Sequence, residues 1–223
     1  MKQYIKKILS ESLVFELIDT LDEDYPSSFD MEEFKSINSF AARIRYCEEH
    51  LQRISSGSSR IVYKIDNEKV LKLAKNKKGL AQNEIEASYS NDNMVDDVVA
   101  KVFDYHQDDL WIEMELARKM GVSDFKRITG FDWNDYVRAI INHGHNVNPR
   151  RNMRQVEVND EVVQEMWEDE FVYDMFNFIG NFDIPVGDLT RKSSYGIVKR
   201  DGSEKVVLID YGLTNEVYDS YYS

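Results

Sequence analysis

This sequence predicts an α+β fold in which a sheet-rich stretch precedes a mainly helical one. Three observations predict it. Ile61-Val62-Tyr63-Lys64-Ile65 and Val70-Leu71-Lys72-Leu73-Ala74 alternate on either side of Asp66-Asn67-Glu68, the pattern of an antiparallel hairpin. Residues 118–184 instead carry apolar side chains at helical spacing. Near the end, Asp201-Gly202 is a strong hairpin turn between strands expected at 195–199 and 205–210, and the second strand delivers Asp210-Tyr211-Gly212.

The elements follow in order. Ile5, Ile8, Leu9, Leu13, Phe15, Leu17 and Ile18 fit a helix over residues 2–22, which Pro26-Ser27-Ser28 breaks. Asp30 can cap a second helix, with Glu33 three residues on, running to about Gln52 with Phe34, Ile37, Phe40, Ile44 and Cys47. Both read as a packing extension. A strand is expected at 51–56 and a helix at 80–90. Two further strands, Val98 to Tyr105 and Leu110 to Leu116, turn at Gln107-Asp108-Asp109. Trp133, Tyr136, Val137, Ile140 and Ile141 fit one helix, and residues from Val162 to Ile179 fit a single longer one. The polar stretch from His143 to Val156 between them reads as a loop, and His143-Gly144-His145 lacks the further ligand a metal site needs. The division expected is 1–50 as a helical extension, 51–117 as the sheet-rich part and 118–223 as the helical part.

Bulk properties exclude several classes. A net charge of −13 over 223 residues, with no basic stripe, argues against a nucleic-acid binder. Apolar runs fall far short of a membrane span, and Met1-Lys2-Gln3-Tyr4 opens no signal-peptide apolar region. A single cysteine, Cys47, fits a reducing compartment. The expectation is a cytoplasmic protein.

Chemistry gathers in a few places. Ser55-Ser56-Gly57-Ser58-Ser59-Arg60 is a small-residue turn, where Gly57 and Ser58 can let backbone N–H groups approach phosphates. Val70, Lys72 and Ala74 share one strand face, and Leu71 and Leu73 share the other. Glu84 and Glu86 lie on the next helix, from which a glutamate can reach a strand lysine. The connector from Ile112 to Ala117, with Glu115 near its end, can offer backbone groups to a purine. Asp188 precedes the closing hairpin and Asp210 follows it. Two carboxylates displayed in this way suit phosphoryl transfer: one orients a nucleophile and the other holds Mg²⁺.

This order of features resembles the protein-kinase-like superfamily, and more narrowly the short kinase-like proteins encoded by bacteriophages, over roughly residues 51–214. The resemblance implies a two-lobed fold: a small antiparallel sheet with one helix, then a reduced helical lobe. It implies that Gly57 stands for the central glycine of the phosphate-covering loop and Val62 for the apolar lid on the base. Lys72 is implied as the lysine on the α/β-phosphates, with Glu84 its helix partner and Glu86 in reserve. Asp188 matches the catalytic-loop aspartate. Asp210 matches the Mg²⁺ ligand, and Ser194 is the nearest stand-in for the second-metal asparagine.

The sequence also departs from that pattern. Ser55 and Arg60 stand where two loop glycines are usual, and Gly187-Asp188 replaces His-Arg-Asp. Eleven residues follow Gly212, with no activation segment or Ala-Pro-Glu among them. The implied cofactors are ATP and Mg²⁺, and the implied activity is phosphoryl transfer to a protein hydroxyl or a small molecule. The alternative is a catalytically silent module that docks on a host protein. Adenylyl transfer is a third outcome that the residues do not separate from the first.

Overall fold

The computed structural model describes residues 25–90, 92, 94–149, 154–182 and 184–222. The helix expected over 2–22 lies outside them. In chain order the elements are α1 (Met31–Ser36), α2 (Phe40–His50), β1 (Gln52–Ser56), β2 (Arg60–Lys64), β3 (Lys69–Ala74) and α3 (Lys77–Ser90). Then come β4 (Val102–Tyr105), β5 (Trp111–Glu115), β6 (Arg118–Lys119), α4 (Val122–Thr129) and α5 (Trp133–Val147). The chain continues through α6 (Asp160–Glu168), α7 (Glu170–Asn181), α8 (Val186–Leu189), a 3₁₀ turn (Lys192–Ser194), β7 (Tyr195–Arg200), β8 (Ser203–Leu208) and α9 (Asn215–Tyr221). The class is α+β, with wholly antiparallel pairing within each sheet, as expected.

The larger sheet has the order β1-β2-β3-β5-β4, with α3 inserted between β3 and β4. Its hairpin register sets Val62 opposite Lys72 and Arg60 opposite Ala74, so all four share one face. Asp66 shapes the turn by accepting from the N–H groups of Glu68 and Lys69. On the opposite face Ile61, Tyr63, Leu71, Leu73 and Trp111 pack against Phe34, Tyr46 and Cys47 of α1 and α2. Helices thus cover the outer face of the sheet. Burial pushes the Cys47 thiol up to about 12, so it behaves as a core apolar group.

The second sheet, β6-β7-β8, pairs through Asp201-Gly202, whose φ angles of 51° and 80° are the left-handed pair of a type I′ turn. A parallel bridge from Val99 to Leu208 joins the β8 strand to the segment before β4. One core cluster therefore runs from Val70 and Ile112 of the larger sheet through Phe125, Tyr136 and Phe176 to Val207 and Leu208.

Four expectations need correction. The helix after Asp30 is two helices: Asp30 caps the first as expected, but Ile37 is extended and Ser39 restarts the chain by accepting from the Ala42 N–H. The helix across 162–179 is likewise two, because the Asp169 side chain caps α7. The region from His143 onward is not loop at its start: α5 continues to Val147, with His143 stacked on Phe176. The strand expected from Val98 begins at Val102, since residues 98–100 bond to β8 instead. Among the described residues, no helix is long and apolar enough to cross a membrane.

Phe34 is fully buried beneath this covering layer. Phe34→Ala is expected to cost about 3–5 kcal/mol in urea unfolding, whereas Ile54→Ala, at a half-exposed position, is expected to stay within about 0.5 kcal/mol.

Candidate active site

The centre of the site is the carboxylate of Glu86, which is fully buried. It sits on the stripe of α3 that carries Gly79, Gln82, Asn83, Glu86 and Ala87, spaced three and four residues apart. Its oxygens receive five donors. Arg60 Nη1 lies 2.8 Å from Oε2 and Nη2 2.9 Å from Oε1. Lys72 Nζ donates to Oε2 at 2.8 Å. The backbone N–H groups of Tyr211 and Gly212 donate to Oε1 at 3.2 and 3.1 Å. Desolvation on its own would raise the Glu86 pKa. The opposing pull of Arg60 and Lys72 outweighs it and leaves the value at about 2.

Lys72 also donates to the carbonyl of Ile209 at 2.5 Å, which fixes β3 against the residue before Asp210. Burial lowers its pKa, with Glu86 opposing and Arg60 reinforcing that shift. The Asp210 carboxylate is largely open, at 62 % side-chain exposure, yet its Oδ1 accepts from Arg60 Nη2 at 2.6 Å. Arg60 itself is buried and reaches Asn83 as well. Gly212 is required here: a Cβ would stand 2.4 Å from the carbonyl oxygen of Gln82 on α3. Tyr211 fills the core and donates its hydroxyl to the Ala100 carbonyl.

Asp188 approaches from the helical part, in the single turn α8. Its Oδ1 pairs with Arg191 at 2.9 Å. Partial burial raises its pKa, Arg191 opposes the rise and the charge of Asp210 adds to it, so the two aspartates feel one another. The turn is clamped from behind. Ser194 Oγ donates to the Asp188 carbonyl at 2.8 Å, and the Tyr195 hydroxyl donates to the Leu189 carbonyl at 2.8 Å. Tyr195 and Tyr136 hydroxyls stand 3.1 Å apart in the core.

Lys72 thus sits on one buried carboxylate, Asp210 is joined to it through Arg60, and Asp188 lies within reach of the charge of Asp210. That carboxylate is Glu86 and not Glu84, which is exposed on α3, off the buried stripe. Ser194 is spent on clamping the Asp188 turn rather than turned towards a metal. Glu115 is also committed elsewhere. Its carboxylate is held by Arg200, its N–H donates to the Lys101 carbonyl, and it serves as a joint between the sheets. Gly57 and Ser58 are exposed, and the Gly57 N–H closes the hairpin on the Arg60 carbonyl. Val62 lies across from Lys72, partly buried. The residue missed from the sequence is Arg60, read there only as a glycine replaced. Strand alternation puts it on the Lys72 face and could have flagged it.

For a metal, the fit rests on oxygen donors. Asp210 supplies an open carboxylate of the kind Mg²⁺ takes. Among the described residues no group of three or more His, Cys, Asp or Glu gathers for an ion. A cation here would complete its shell with phosphate and water oxygens.

No family model matches this chain, and no curated protein matches it. Among solved structures, the GDP complex of wild-type aminoglycoside 2'-phosphotransferase-IIIa is similar at 11% identity, covering 79% of this chain and 73% of that chain, with a TM-score of 0.37. The streptomycin–ATP–APH(2")-IIa ternary complex is similar at 12% identity, over 79% and 71% of the two chains, with a TM-score of 0.33. The gentamicin–APH(2")-IIa complex stands at 11% identity and a TM-score of 0.31, with the same coverage. Likeness of this size carries no inference about activity.

Removing one partner from a buried ion cluster strands the others, so Glu86→Gln is expected to cost about 3–5 kcal/mol while Glu84→Gln costs under about 0.5 kcal/mol, read by urea unfolding. Linkage gives the pH sign. The Glu86 pKa is depressed in the fold, from 4.5 to about 2. Its contribution is therefore full above the unfolded value and is lost as pH falls through the folded one. Wild-type stability is expected to fall between those two values, with a shallower slope in Glu86→Gln.

Proposed function

We propose that this chain is a kinase-like, ATP-dependent phosphotransferase acting on a hydroxyl of a protein or a small molecule. The observation that carries this reading is the Lys72–Glu86 pair at 2.8 Å, with the same ammonium bonded to Ile209 directly ahead of Asp210. A lysine so tethered at the head of a carboxylate-bearing strand end suits α/β-phosphate binding. Asp210 would hold Mg²⁺, which when bound neutralises phosphate charge. Asp188, with its proton affinity raised by burial and by Asp210, would orient the acceptor hydroxyl and take its proton. The acceptor oxygen then bonds to the γ-phosphorus as the bond from that phosphorus to the bridging oxygen breaks and ADP leaves. The nucleotide would be covered by the Gly57-Ser58 turn, with Val62 against the base.

One specific observation favours a second reading, that of a silent docking module. Lys72 is 5 % exposed and Arg60 already occupies Asp210 Oδ1, so the charges needed for ATP–Mg²⁺ are satisfied internally. In that reading the −13 charge would serve recognition of a basic partner protein.

The two readings part on measurement. Under the first, ATP with Mg²⁺ raises the melting temperature, and label from γ-labelled ATP reaches the protein itself, an extract protein or a small alcohol. Asp188→Asn is expected to lower that turnover about 10²–10⁴-fold with nucleotide binding kept. Activity is expected to rise with pH through a value above the ordinary aspartate range. A nucleotide-induced melting shift without any transfer would leave the silent module. No shift at all would remove the phosphotransferase reading and leave a docking module that binds no nucleotide. The mass of any modified product separates phosphoryl from adenylyl transfer.

A further inference from the structure

Arg60 is the one charged side chain in this cluster that the phosphotransfer scheme leaves without a task. Its guanidinium is 8 % exposed, makes two contacts to Glu86 and one to Asn83, and extends its remaining reach to Asp210 Oδ1 at 2.6 Å. A guanidinium stays charged at any working pH. Here the flanking carboxylates of Glu86 and Asp210 outweigh the cost of burial and favour that charge further. The anchoring is uneven. Glu86 and Asn83 hold the group from the buried side, whereas Asp210 meets it from an open side. The Asp210 contact can therefore break while the other three persist.

A dication on Oδ1 of Asp210 would stand within a few ångströms of this fixed positive charge. Like charges that close, in a half-buried setting, each raise the free energy of the other. The oxygen can serve the guanidinium or a metal, but not both at full strength. We propose that Arg60 is a tethered cation competing with the divalent metal for Asp210, and that it sets how much metal, or how much accompanying polyphosphate charge, the site demands. The inference rests on the phosphotransferase reading of the site. It makes Arg60 a positioning residue that acts through Asp210. It also accounts for an arginine at the start of β2, on the Lys72 face, where the resemblance leads one to expect a glycine.

The test uses the full chain, free of nucleotide, with Mn²⁺ as the probe at constant ionic strength. Electron paramagnetic resonance reads free against bound ion. Arg60→Gln is expected to bind Mn²⁺ about tenfold more tightly than wild type, the scale of removing one adjacent like charge. Asp210→Asn placed in that background is expected to abolish the gain. Arg60→Lys serves as a second variant: it keeps a charge for Glu86 but falls short of Asp210, and it too is expected to bind more tightly. Equal or weaker Mn²⁺ binding in both variants, with binding still lost in Asp210→Asn, would overturn the competition and leave the phosphotransferase reading intact. No Asp210-dependent binding of Mn²⁺ in any of these proteins, with or without ATP, would overturn both. Should neither Arg60 variant fold, wild type itself decides. The guanidinium NMR signal that Asp210→Asn removes is expected to vanish as Mg²⁺ is added, and its persistence at saturating Mg²⁺ would overturn the inference.

Discussion

A single buried carboxylate organises this protein. Glu86 has no contact with water and would be costly in that place if left alone. It is tolerated because five donors converge on it from three separate parts of the chain: Arg60 on β2, Lys72 on β3, and the backbone of Tyr211 and Gly212 beyond β8. Each of these segments is held in place by the same charge. The pair of backbone N–H groups matters most for the site. By binding Tyr211 and Gly212, Glu86 sets where the strand end turns, and hence where Asp210 projects.

The rest of the fold brings those segments within reach of Glu86. Covering the outer face of the larger sheet with α1 and α2 leaves Lys72, Val62 and Arg60 on the inner face towards α3. The absence of a side chain at Gly212 lets the strand end close on Gln82 of the same helix. On the far side, Tyr136 and Tyr195 meet in the core beneath α8, and Tyr195 and Ser194 hold the two carbonyls around Asp188. A fully packed aromatic layer thus supports a half-buried acid. That places a packed backbone under an aspartate whose proton affinity burial raises.

Some of this could be read from the residues and some could not. The hairpins were legible because strand alternation and the Asp-Gly turn are local rules: two positive φ angles in succession strongly favour such a pair. The breaks at Ile37 and Asp169 were not. Apolar spacing continues across both, and only the caps from Ser39 and Asp169 show that a new helix begins. Choosing Glu84 over Glu86 was an error of the same kind. Two glutamates two residues apart lie on different sides of a helix, and the choice depended on which side met the sheet. The stripe of Gln82, Asn83, Glu86 and Ala87 held that answer, but it is made of polar residues and does not stand out as a core face. Ser194 and Glu115 were assigned by their place in the chain, and both turned out to be engaged with nearer partners.

The sequence alone determined the α+β class, the inner-face position of Lys72 and the presentation of Asp210 after a strand, since each follows from spacing within a few residues. Tertiary structure alone decided which acid neutralises Lys72, and that Arg60 enters the same cluster and reaches Asp210. Those pairings join residues 14 to 150 positions apart. Coulombic attraction and desolvation act through space, so the partner of a buried charge is set by what the fold places beside it and not by its neighbours along the chain.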